Sequence, residues 1–168
     1  MRLALKLLLT VPVVAILAWS LESPRRGVFG ELEALGPAAP MVAAAFFLVV
    51  VLYCRDLVLL MRALDEEARA ASPASMWWML VLPLNFVEDF SIVSHVSTSL
   101  ERQWRLRPEL AGLGTGRMVG LSWCALQIVS LVPSTVGLVA GVLAVPPWLW
   151  HWRFIRAARQ RVLQPRAR

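Results

Sequence analysis

The chain has 168 residues, a net charge of +6 and a hydrophobic content of 58%, above the roughly 45–50% usual for soluble domains. Four long apolar stretches and their short connections take up nearly all of it, which excludes a soluble catalytic domain beside them. The basic balance, with a pI near 10.9, does not point to nucleic acid: the arginines flank apolar stretches, where membrane proteins place them.

Apolar stretches lie at 3–21, 41–61, 76–96 and 118–150, each matching or exceeding the roughly 20 residues of one helical crossing. A mean hydropathy of +0.64 agrees. The first follows a basic start, Met1 to Lys6, and Ala18-Trp19-Ser20 resembles a small-residue cleavage site. A cleaved signal and an uncleaved span both fit; the length of 3–21 favours the span. Residues 22–39 then hold Pro24, Gly27, Gly30, Gly36 and Pro37, a polar loop with a helical turn near 31–35.

Pro40 suits the first position of the second helix, 40–63, since its missing N–H costs nothing there. That helix should continue through 62–71, with Arg62/Glu66 and Asp65/Arg69 at i,i+4, until Ser72-Pro73 ends it. The third, 74–98, opens on the interfacial pair Trp77 and Trp78 and should protrude until Pro108. In the loop 107–117, the run GLGTG at 112–116 only superficially resembles a phosphate-binding loop, because no strand precedes it.

The last stretch spans 33 residues, about 50 Å as one helix against a bilayer core of about 30 Å. Pro133-Ser134-Thr135 lies at its middle. One kinked helix or a hairpin of segments 117–132 and 135–152 would fit. A single crossing divides the flanking basic residues ten against six, and a hairpin twelve against four. The positive-inside rule prefers the hairpin and places the C-terminus in the cytoplasm either way. Small residues at Gly137, Ala140, Gly141 and Ala144 suit close helix packing, within the chain or between copies. The basic tail 153–168 carries Arg153, Arg156, Arg159 and Arg161, a surface for anionic lipid, and also Arg166 and Arg168.

Ionisable groups inside apolar stretches are costly and mark candidate sites. Here they are Arg55 and Asp56 on the second helix, and Glu88 and Asp89 on the third. Asn85, Glu88, Ser91, His95 and Ser99 share one helical stripe. With helices two and three as antiparallel neighbours, Arg55 should reach Glu88 or Asp89, and Asp56 the interface. Such a network glues helices; the sharper alternative is a proton or ion path through Glu88, Asp89 and His95. Cys54 and Cys124 lack a CxxC partner, and His95 and His151 lack metal spacing. No catalytic motif and no cofactor fingerprint is present.

Trp78, the run Leu82-Pro83-Leu84-Asn85-Phe86, Ser99-Leu100-Glu101, the segment 120–133 and the closing run 148–156 resemble a recurrent type of small bacterial polytopic membrane protein. The resemblance covers about half the chain and departs at Glu88-Asp89. It implies membrane location and nothing further. The expectation is an all-α, polytopic bundle of four or five crossings in a bacterial inner membrane. It is expected to be non-enzymatic, with no cofactor, metal or nucleic acid. Its expected role is an accessory or interaction component beside lipid, another membrane protein or a second copy; a small transporter is the alternative.

Overall fold

The computed structural model describes residues 3–22 and 27–164, and all regular structure within them is helical. Met1, Arg2, Pro24, Arg25, Arg26, Arg166 and Arg168 lie outside the described residues. The α-helices are α1 (Leu3–Glu22), α2 (Gly27–Ala34), α3 (Ala39–Ala63), α4 (Asn85–Leu106), α5 (Arg117–Ser130) and α6 (Thr135–Val162). Short 3-10 segments occupy Gly36–Ala38, Glu66–Ala68, Pro73–Leu80 and Pro108–Leu113. Among the described residues one continuous helical segment, Gly36–Ala63, is long and apolar enough to cross a membrane.

The break expected near Pro133 is present. Helix α5 stops at Ser130, and α6 begins at Thr135 with the Ser134 hydroxyl accepting the Gly137 N–H at 3.2 Å. Proline cannot continue the backbone ladder, and serine replaces one missing partner at the new N-terminus. The two helices then pack antiparallel. Ala140 and Ala144 are buried within this fold, so the small-residue face serves packing inside the chain.

The third stretch departs from expectation. Residues 74–98 are not one helix: a 3-10 segment ends at Leu80, a turn follows, and α4 starts only at Asn85. Pro83 lies in that turn, where its ring and missing N–H oppose a continuous helix. The chain thus retraces its path between Ala63 and Asn85, and α3 and α4 run parallel rather than antiparallel. Asp65, just past α3, bonds to Gln103 near the end of α4.

Helix α3 also ends eight residues earlier than the expected limit at Ala71. Leu64 turns extended. The Asp65 N–H donates to Gln103 Oε1 and Gln103 Nε2 donates to Asp65 Oδ2, both at 2.8 Å. Arg69 donates to the carbonyls of Leu64 and Arg62, capping the orphaned helix end. With no α-helix through 64–71, only the 3-10 turn Glu66–Ala68, the i,i+4 geometry for Arg62/Glu66 and Asp65/Arg69 does not exist. Near the other end of α3 the expected turn at 31–35 is the longer helix α2.

Contacts sort the polar connections to one end of the bundle. Ala70 N–H donates to Ser99 Oγ, Trp104 Nε1 to the Gly114 carbonyl, and Arg107 to the carbonyls of Val162 and Gln164. Arg62, Arg69, Arg102, Arg105, Arg107, Arg117 and the arginines closing α6 therefore gather there. Gly27 lies at the opposite end, against Pro133 and Val132.

Candidate functional site

The polar side chains inside the bundle divide into three groups, each placed by a different helix pair. On α4 and α1, Glu88 takes Lys6 through both carboxylate oxygens, at 2.6 and 2.7 Å. Arg55 is exposed and forms no ion pair with Glu88 or Asp89, which corrects the expected compensation. The reason is topological: α1 lies alongside the start of α4, with Val13 packed among Phe86, Val87 and Leu131, so Lys6 reaches Glu88 first.

Asp56 is bound within the fold instead of reaching outward alone. It accepts the Trp152 indole N–H at 2.6 Å, and the exposed Arg156 guanidinium stands 3.8 Å away. Just beside this contact, the Tyr53 hydroxyl meets His151 Nδ1 at 2.7 Å. Both residues are fully buried. Trp123, Trp148 and Trp152 surround the Tyr53 ring with centroids 5.7, 5.9 and 5.9 Å away. Edge-on rings of this kind give the polar pair an apolar sheath. Gly120 is what lets His151 in: a Cβ there would stand 2.9 Å from His151 Nε2.

The third group faces α5. Asp89 is 1% exposed and Asn85 9%, and neither they nor Gln127 find a donor for their side-chain oxygens. Asp89, which follows Glu88 and lies off the expected stripe, is buried on the inner side together with Asn85, the first member of that stripe. The stripe itself splits among partners. Glu88 turns to α1; Ser99 accepts from Ala70 and donates to the His95 carbonyl at 2.7 Å. The His95 imidazole is half-buried, and no path of bonded groups joins it to Asp89.

Lys6, Tyr53, Gln127 and His151 were not legible as site residues. Lys6 reads as a basic flank and His151 as a lone histidine. Two signals existed: Tyr53 is the chain's single tyrosine, and Gln127 is the one amide within 118–150. Of the arginines at the end of α6, Arg153, Arg156 and Arg161 are exposed and Arg159 is half-buried, all within the helix that runs to Val162. No protein-family model matches the chain, and no curated protein and no solved structure matches it either.

Proposed function

We propose that this chain is a multi-pass, non-enzymatic protein of a bacterial inner membrane, acting as an accessory or interaction component of a membrane assembly. The observation that carries the membrane reading is a collar of exposed apolar side chains on three helices. It comprises Leu7, Leu8, Val11 and Val14 on α1, Met41, Phe46, Phe47 and Leu48 on α3, and Val136, Val142 and Leu143 on α6. Water would leave so large an apolar surface uncovered; hydrocarbon does not.

The collar has an edge of the kind interfaces select. Large exposed apolar residues on α3 stop at Leu52, before Arg55; on α6 they stop at Trp150, before Arg153, with Trp77 and Trp78 also exposed. Aromatics followed by arginines suit the headgroup region. In this reading Arg153, Arg156, Arg159 and Arg161 lie against anionic lipid, and the arginine-rich end is cytoplasmic. Gly36–Ala63 covers about 40 Å of helix axis, more than the about 30 Å of hydrocarbon, so its polar end protrudes.

Reporter fusions to the full chain test this. A fusion after Arg168 and an insertion at Gly112 should both report cytoplasm, and an insertion at Gly36 the periplasm. Release of the chain from membranes by alkaline carbonate, or phosphatase activity at Arg168, would overturn the assignment.

A further inference from the structure

Between α4 and α5 the bundle encloses four side-chain oxygens that meet no donor in good geometry among the described residues: Asn85 Oδ1, both oxygens of Asp89, and Gln127 Oε1. Asn85 and Asp89 stand one turn apart on the same face of α4. The Gln127 amide faces Asp89 from α5 with its N–H toward the carboxylate, in a hydrogen bond of poor geometry, and its Oε1 would reach an ion there after the amide turns over. A buried carboxylate without partners is strongly unfavourable, and buried carbonyl oxygens without donors add to that cost.

Among the described residues nothing around the cluster supplies the balancing charge. The titratable groups that face Asp89 are Tyr53 and Cys54 on α3, Cys124 on α5 and Glu88 on α4. None is a cation. The Tyr53 hydroxyl is engaged by His151, and Lys6 is spent on Glu88.

We propose that Asn85, Asp89 and Gln127 form a binding site for a dehydrated sodium ion. An all-oxygen donor set selects a hard cation over a soft one. One carboxylate with two neutral amides cancels a single positive charge. A divalent ion would leave an uncompensated charge in the apolar interior. Few donors on rigid helices favour the smaller sodium over potassium. The bound ion would tie α4 to α5 more firmly than the loose Asp89–Gln127 contact does. The inference stands on burial inside the bundle and not on the lipid placement proposed above, so the two fail separately.

The test is thermal unfolding of the full-length protein in detergent, in NaCl, KCl or choline chloride at equal ionic strength, at pH 5.5 and pH 8. A ligand held at about ten times its Kd stabilises the folded state and should raise the midpoint by about 3–6 °C. Sodium should raise it saturably over the other two salts. The gain should be larger at pH 8, because protons compete for the same carboxylate. Asp89→Asn, which keeps the shape, should abolish the sodium preference, and Gln127→Leu should weaken it. Equal midpoints in the three salts at both pH values would overturn the site. So would stabilisation by acid alone without cation preference, which would mean a neutral Asp89 carboxyl. A sodium preference that survives Asp89→Asn would place the ion elsewhere and also overturn it.

Discussion

Lys6 on α1 and Glu88 on α4 stand 82 residues apart and meet at 2.6 Å, with a second contact at 2.7 Å. The two side chains are 19% and 15% exposed, so the pair lies between a surface bridge and a buried one. Exposed pairs contribute about 0–1 kcal/mol, whereas stranding one member of a buried pair costs about 3–5 kcal/mol. A double-mutant cycle with Lys6→Met and Glu88→Gln should therefore give a coupling of about 1–3 kcal/mol. The same cycle with Arg55→Leu and Glu88→Gln should be additive. Unfolding in mixed micelles measures both, and coupling to Arg55 in place of Lys6 would refute this arrangement.

Gly120 lies where α5 meets both α4 and α6. A methyl added there would stand 2.6 Å from Val93 Cγ1 and 2.9 Å from His151 Nε2. Gly120→Ala should cost about 1–3 kcal/mol through overpacking. Tyr53→Phe, which leaves His151 Nδ1 without its partner, should cost about 1–3 kcal/mol. Both should also change tryptophan fluorescence, since Trp123 and Trp148 surround Tyr53. An unchanged spectrum in both variants would show the cluster is not packed as described.

The turn joining α5 to α6 leaves no room at Gly137, where the Val132 carbonyl occupies the place of a Cβ. Gly137→Ala should lower the folded yield sharply. Gly112→Ala, which meets nothing within 4 Å, should stay within about 0.5 kcal/mol of the unaltered chain. Equal effects at the two glycines would argue against this hairpin.

Arg107 is buried and joins α4 to the end of α6, donating to the Val162 carbonyl at 2.8 Å and the Gln164 carbonyl at 3.2 Å. Those carbonyls have no partner within the helix. Arg107→Ala should cost about 1–3 kcal/mol and speed hydrogen exchange in the last two turns of α6. Arg107→Lys should rescue little, because one ammonium does not reproduce the planar fork. Unchanged exchange in Arg107→Ala would remove the cap from the account.

Proline shows how far local reading carries. Pro133 stops a helix as its chemistry dictates, yet Pro12, Pro146 and Pro147 sit inside helices. Pro83 carries the same signal as Pro133, inside a stretch otherwise apolar enough to pass for one crossing. A proline's cost is intrinsic, but whether a helix absorbs it depends on what packs around it.

The amino-acid order by itself determined the all-helical class, the apolar stretches and the break before α6, because hydrophobic length and proline chemistry act over a few neighbouring residues. Only the tertiary structure decided that α3 and α4 run parallel and that Lys6 holds Glu88. It also decided that Gln103 ends α3 and that Asp89 turns inward to Asn85 and Gln127. Each of these depends on which distant segment arrives within hydrogen-bond reach. Helical periodicity gives the face a side chain occupies, and not the neighbour that face will meet.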